Sequence, residues 1–232
     1  MSALNIKLDN LSVMIGIPST RDFDPRVVKS LLNTFRLCWQ IGIPCHFGEV
    51  YGNAVIQWAR DEVIEEFLKS DATRLFLIDS DIVWKPEDFM RMLALTQLRE
   101  VVCATYPAKI DQPTFYVNHD KTQPVVADSL GLLDIWGVGL GFTVVRREVI
   151  EALVKKAPRI YDEISGRELA EVFRVGSVQS DGRRSRRGED MAFFRDIIDL
   201  GYKVLLDPEV SLGHIGTKVY TGSVKDALRV SP

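Results

Sequence analysis

Four large apolar residues in succession, Leu75-Phe76-Leu77-Ile78, run directly into Asp79-Ser80-Asp81. An apolar run without polar alternation fits a strand covered on both faces, as in a parallel sheet between two helical layers. In open parallel sheets ligands collect beyond the carboxyl ends of the strands, where these two aspartates would stand. Carboxylates at i and i+2 of an extended segment share a side, and holding them there costs on the order of several kcal/mol unless a cation or solvent compensates. A hard divalent ion, Mn²⁺ or Mg²⁺, takes oxygens from few carboxylates and completes its shell with substrate phosphates and water. The same aspartates would serve equally as a solvated loop leading to the helix that Pro86, Glu87 and Asp88 open.

The surrounding pattern supports the buried-strand reading. Ser12 to Pro18 is a short apolar run, followed by the loop Ser19-Thr20-Arg21. Pro25 opens a helix with Val27, Val28, Leu31, Leu32, Phe35, Cys38 and Trp39 at a 3.6-residue period. Ile43 to Phe47 is a second strand candidate, Val55, Ala59, Val63 and Phe67 mark one face of a second helix, and Val101 to Tyr106 reads as a fourth strand. This alternation predicts an α/β chain with a mostly parallel central sheet, right-handed crossovers and helices on both faces. After Pro107 the alternation weakens. Residues 110–135 read as short strands and turns, Leu140 to Val145 as a strand, and Glu148 to Lys156 as a helix. Ala157 to Arg187 reads as irregular and partly polar, Gly188 to Leu200 as a helix stopped by Gly201, and Val204 to Leu206 as a further short strand.

Composition narrows the function classes. A net charge of −3 over 232 residues excludes a chain that coats nucleic acid by bulk charge. Three cysteines, Cys38, Cys45 and Cys103, make no disulfide framework. Lys7, Asp9 and Asn10 precede the first apolar stretch, so the start reads as a strand and not as a signal peptide. No apolar run approaches the ~20 residues of a membrane helix. The expectation is one soluble, cytoplasmic domain over residues 1–232.

Two further clusters carry chemistry. Gly188-Glu189-Asp190 follows Arg183-Arg184-Ser185-Arg186-Arg187. The acids are either ordinary partners of the positive helix end, or one of them is a general base or a ligand of an acceptor hydroxyl. The arginines either grip a diphosphate or form a solvated loop. His214-Ile215-Gly216 places a histidine beside a glycine that permits close backbone approach, whereas His46 and His119 have no local company. Gly137-Val138-Gly139-Leu140-Gly141 lacks the strand-before, helix-after context of a dinucleotide site, so its glycines are expected to let a substrate ring lie against backbone.

In order, these pieces resemble a nucleotide-sugar glycosyltransferase of the GT-A fold, family-2-like in outline, from Val13 to about Gly216. The resemblance rests on Ile17-Pro18-Ser19-Thr20-Arg21, Ala59-Arg60-Asp61, Phe76 to Asp81, Tyr106 to Lys109, the glycine-rich strand leading to Arg146-Arg147, Gly188-Glu189-Asp190 and His214-Ile215-Gly216. It implies a nucleotide-binding half over 1–109 and an acceptor-binding half over 110–232. Pro18, Ser19, Thr20, Arg21, Arg60, Asp61, Asp79 and Ser80 would lie near the nucleotide, Asp61 standing where related sequences often carry Asn. Asp79, Asp81 and His214 would bind Mn²⁺ or Mg²⁺. Tyr106, Lys109, Gly137, Gly139, Arg186 and Arg187 would meet the donor or acceptor sugar. Asp190 resembles the base of inverting members, with Glu189 as its fallback. The implied donor is a UDP-sugar, and the implied acceptor is a glycan, a lipid-linked sugar, a protein, or modified DNA reached through Arg183–Arg187. Alternatives on a similar sheet are a sugar-nucleotide nucleotidyltransferase, whose glycine-rich first loop is missing here, and a non-catalytic carbohydrate-binding protein.

Overall fold

Every residue of β1 (Val13–Ser19) and of β3 (Arg74–Ile78) is buried, as expected of strands in the middle of a two-faced sheet. The computed structural model describes residues 8–20, 22–163, 166–180 and 183–228. Between these strands lie α1 (Pro25–Gln40), β2 (Cys45–Tyr51) and α2 (Ile56–Lys69). Then follow β4 (Ile82–Val83), α3 (Pro86–Leu95), β5 (Val101–Cys103), β6 (Leu133–Ile135), β7 (Phe142–Arg146) and α4 (Arg147–Lys156). Two hairpins come next, β8 (Arg159–Asp162) with β9 (Arg167–Ala170), and β10 (Gly176–Ser180) with β11 (Arg183–Arg187). The chain continues through α5 (Glu189–Asp199), β12 (Val204–Leu206), β13 (Leu212–Ile215), β14 (Val219–Gly222) and α6 (Val224–Leu228).

Local chemistry sets the helix starts. Asp24 caps α1, accepting from the Arg26 amide at 2.8 Å, and Pro25 fills the first turn. Glu87 and Asp88 sit in the first turn of α3, next to its positive end. Gly201, at φ 90°, lets the chain turn out of α5.

Among the described residues the central sheet has seven strands in the order β2-β1-β3-β7-β5-β12-β6. β1 is parallel to β2 and β3, and β12 is parallel to β5. β7 enters between β3 and β5 and opposes both, and β6 opposes β12. Five of these seven strands therefore run in one direction, which makes the sheet mostly parallel although three of its six neighbouring pairs are antiparallel. One face is covered by α2, α4 and α5 through Val63, Phe67, Val149 and Phe193. The other is covered by α1 and α3 through Val27, Cys38, Phe89 and Met92. Phe76 of β3 stacks on Phe89 of α3 at 4.3 Å, fixing helix to sheet with aromatic contact beyond simple burial. Among the described residues no helix is long and apolar enough to cross a membrane, and all three cysteines are free.

The structure departs from the sequence pattern in four details. Residues 157–187 hold two hairpins instead of irregular chain; β8 is almost wholly exposed, so it carries no apolar alternation to read. The strand at Val101 ends at Cys103, and the strand expected over 43–47 instead runs from Cys45 to Tyr51. Between residues 110 and 135 the regular structure among described residues is confined to β6 and single bridges such as Ala127 with Leu133.

Candidate active site

Beyond β3 the two aspartates part company. The Asp79 amide donates to the Gly141 carbonyl at 3.0 Å, which ties the strand end to β7. Asp81 sits just before β4, whose Ile82 and Val83 pair with His214 and Gly213 of β13. The Ile215 amide donates to the Asp81 carbonyl at 2.8 Å. That short pairing brings His214 Nε2 to 3.3 Å from Asp81 Oδ2.

His214 Nδ1 lies 2.9 Å from the Pro107 carbonyl. A carbonyl only accepts, so Nδ1 carries the proton and donates. In the neutral ring Nε2 then faces the Asp81 carboxylate with a lone pair. Two acceptors in contact call for a proton on Nε2 or a cation against both. Lys109 Nζ already lies 2.5 Å from the same Oδ2. Burial pushes the Asp81 carboxyl up, but its close contacts with His214 and the Lys109 ammonium outweigh it and hold the carboxyl below its ordinary range.

Among the described residues no group of three or more His, Cys, Asp or Glu side chains is arranged to hold a metal ion. The Asp81–His214 pair still fits one as a partial shell. Neighbouring ligands at ~2.1 Å on an octahedral ion stand ~3 Å apart, close to the spacing seen. The Pro107 carbonyl fixes the tautomer that leaves Nε2 free to ligate. An ion held by so few protein ligands takes the rest of its shell from substrate phosphates and water.

Asp79 belongs to a different arrangement, built around Arg60. Arg60, on α2, has a side chain 4% exposed and reaches Asp79 Oδ1 at 2.9 Å, Asp190 Oδ1 at 2.5 Å and Glu189 Oε1 at 3.3 Å. Burial alone would lower the Arg60 pKa; the charges of Asp79 and Asp190 override it and raise it. Asp190 is raised, chiefly by burial, with Arg60 pulling the other way and Asp79 and Glu189 adding to the rise. Tyr106 stands between the two groups. Its hydroxyl donates to Asp79 Oδ2 at 3.3 Å, and its ring meets His214 edge-on at 4.7 Å.

The glycines make room for these side chains. A Cβ on Gly141 would stand 2.4 Å from Asp79 Oδ2, and one on Gly139 would stand 2.5 Å from the Tyr106 hydroxyl. Gly137, at φ 153°, is packed against Met191 and Phe194 of α5. From sequence alone a substrate ring is expected against these glycines. In the structure the protein's own site residues occupy the space beside Gly139 and Gly141.

A cleft of about 410 Å³ opens beside Asp81, lined by Ser19, Thr20, Ser80 and Ile215 and by the carboxylates of Asp22 and Asp24, so an anion seated there needs a cation beside it. Pro18 and Ser19 close β1 at its carboxyl end, one strand from Asp79. Arg21 lies outside the described residues. Asp61 points elsewhere: it is buried, and its Oδ1 accepts from the Val172 and Phe173 amides at 2.9 and 3.0 Å. Arg186 and Arg187 lie on β11, Arg186 exposed and Arg187 half-buried. Of the candidates that the motifs single out, the structure thus joins Asp81, His214 and Lys109 in one group. Arg60, Asp79, Tyr106, Glu189 and Asp190 form the other. Pro107 lies inside the Tyr106–Lys109 segment, but the role of its carbonyl is not readable there, since a backbone acceptor leaves no mark in residue identity.

No protein-family model matches the chain, and no curated protein matches it in sequence. In structure it is similar to A197 from STIV, with a TM-score of 0.57 and 18% identity over 93% of this chain and 91% of that one. It is also similar to GalNAc-T7 solved with UDP, GalNAc and Mn²⁺, with a TM-score of 0.53 and 11% identity over 90% of this chain. The match spans 44% of the GalNAc-T7 chain. At such identities the likeness bears on the fold, which is of the GT-A type.

Proposed function

We propose that this protein is a glycosyltransferase that moves a sugar from a nucleoside-diphosphate donor, UDP-sugars first among them, to an acceptor hydroxyl, with the motif order of a family-2-like enzyme. The observation that carries this reading is the Asp81–His214 pair, 3.3 Å apart beside a cleft at the carboxyl ends of β1 and β3. The shared GT-A fold agrees with it, as does the sequence order of the motifs.

Residues 1–109 would supply the nucleotide side of the site and residues 110–232 most of the acceptor side. Ser19, Thr20 and Ser80 border the cleft that suits a nucleoside. Asp81 and His214 would hold Mn²⁺ or Mg²⁺, which supplies charge neutralisation for a departing diphosphate. Lys109 brings a second positive charge to the same place. Asp190 is suited to act as base. Burial raises its affinity for a proton, and Arg60 fixes its orientation and keeps it ionised until the proton arrives. In the transfer, the acceptor hydroxyl gives its proton to Asp190 and its oxygen forms the new bond to the sugar C1. The bond from C1 to the diphosphate oxygen breaks, its electron pair leaving with the diphosphate. Glu189 shares the Arg60 guanidinium and stands in reserve. The free cysteines suit a reducing, cytoplasmic setting.

The test is thermal unfolding with UDP and UDP-sugars, with and without Mn²⁺. A ligand at 100 times its dissociation constant adds about 2.7 kcal/mol. The expected result is Mn²⁺-dependent stabilisation by UDP and slow release of UDP from at least one UDP-sugar. No response to any nucleotide overturns the reading. Pyrophosphate release from a nucleoside triphosphate and a sugar phosphate would replace it with nucleotidyl transfer.

A further inference from the structure

On the flank of α2 lies a second cleft of about 370 Å³, closed on its other side by the β8–β9 hairpin. That volume is within the ~300–1,000 Å³ of small-molecule sites. Two large rings border it and remain open to solvent, Trp58 at 53% and Tyr161 at 63% exposure. Its polar wall includes Asn53, Asp61, Glu62 and Glu163, and no lysine or arginine lines it among the described residues.

The polar groups are held in place. Asn53 Nδ2 donates to Glu62 Oε1 at 2.9 Å, and Asn53 Oδ1 accepts from the Val55 amide at 3.0 Å. Asp61 is only 3% exposed. Its Oδ1 takes both the Val172 and Phe173 amides, while its second oxygen takes no hydrogen bond from any described residue. Among the described residues the sealed side-chain atoms without a partner are Asp88 Oδ2 and Thr143 Oγ1, so the second Asp61 oxygen keeps access to solvent at the cleft wall, where a ligand hydroxyl can take the place of water.

A wall of carboxylates repels phosphates and nucleic acid and offers acceptors to hydroxyl groups. Open aromatic faces take flat apolar surfaces. A sugar ring presents both at once: hydroxyls at its edge and a face of C–H groups. A cationic peptide would also satisfy the carboxylates, but burial raises the Asp61 carboxyl to about 7. A carboxyl that is partly protonated near neutrality suits a hydroxyl, which gives and accepts, better than an ammonium, which only gives.

We propose that the cleft between Trp58 and Tyr161 binds an uncharged saccharide, stacked on these rings and hydrogen-bonded to Asp61, Glu62 and Asn53. Its role as the acceptor's seat rests on the glycosyltransferase reading above. The link to the reacting groups is short: Asp61 holds the Phe173 amide, and the Phe173 ring lies 5.8 Å from the Arg60 guanidinium that grips Asp190.

The test is saturation-transfer NMR on the full chain with galactose, N-acetylglucosamine, lactose and cellobiose, beside a lysine-rich peptide and a single-stranded DNA oligonucleotide. At least one saccharide is expected to bind. Its affinity should fall at least tenfold in Trp58→Ala and in Tyr161→Ala and hold in Trp39→Ala, which lies on α1 against the opposite face of the sheet. Melting temperatures report that the variants keep their fold, since both rings are exposed. Absence of saccharide binding, binding indifferent to both rings, or binding of the peptide or DNA alone overturns the proposal. UDP-induced stabilisation of the same sample separates the two readings. Saccharide binding without it upholds the cleft and removes the transferase; UDP stabilisation without saccharide binding does the reverse.

Discussion

His214 stands 3.3 Å from Asp81 because its strand pairs with the two residues that follow that aspartate. Asp81→Ala or His214→Ala should therefore abolish Mn²⁺-dependent stabilisation by UDP while leaving the far-UV circular dichroism unchanged. Lys109 competes for the same carboxylate oxygen, so Lys109→Met should tighten Mn²⁺ binding severalfold in a titration without nucleotide. Unaltered Mn²⁺ affinity in Asp81→Ala would falsify the assignment of this pair.

Asp190 is oriented by Arg60 at 2.5 Å. Asn keeps the shape and loses the basicity, so Asp190→Asn should bind UDP normally and lower transfer by roughly 10²–10⁴-fold. Rates would be compared under saturating donor. Transfer within a few-fold of wild type would hand the base role to Glu189.

Burial raises Asp61 from 3.8 to about 7. The fold therefore favours the protonated acid. The stability this group contributes is fully present below about pH 4 and is lost as pH rises towards 7. Asp61→Asn keeps an acceptor for the Val172 and Phe173 amides and removes the buried charge. Urea unfolding at pH 8 should show a gain on the order of 2 kcal/mol, and the slope of stability between pH 4 and 7 should flatten. A loss of stability at pH 8 would contradict this account.

Gly141 leaves no space for a methyl group, since its Cβ would lie 2.4 Å from Asp79 Oδ2. Gly141→Ala should push Asp79 away from Tyr106 and Arg60, lowering stability by about 1–3 kcal/mol and weakening donor-dependent turnover. Gly131→Ala makes a useful contrast, because there φ is 81° with open space around it. Its cost is conformational alone, and turnover should hold. Chemical denaturation and initial rates on both variants check the pair.

The fold and the two aspartates are legible in the sequence because β3 is buried on both faces, so its apolar run announces the strand and the polar residues after it announce the strand end. The glycine-rich segment is legible as close-packed, but not which neighbour fills the space. Spacing cannot show that Asp79 and Asp81 serve different partners. Asp79 is drawn to Arg60 from α2, and Asp81 to a histidine delivered by the two-residue strand β4. Nor can it show that Asp61 commits one oxygen to the Val172 and Phe173 amides, which lie more than a hundred positions away. Strand β8 is illegible because an exposed strand needs no apolar alternation, and β9 buries only its last two residues, too few to show a period.

β7 carries a practical consequence for engineering. It comes from beyond residue 109, yet it lies between two strands from before it, β3 and β5, and satisfies the facing backbone edges of both. A chimera joined at residue 109 must bring a middle strand of matching register, or it leaves two raw edges inside the molecule. Among the described residues the hairpin β10–β11 pairs only within itself, so it is a place where foreign sequence can be grafted without reopening the sheet.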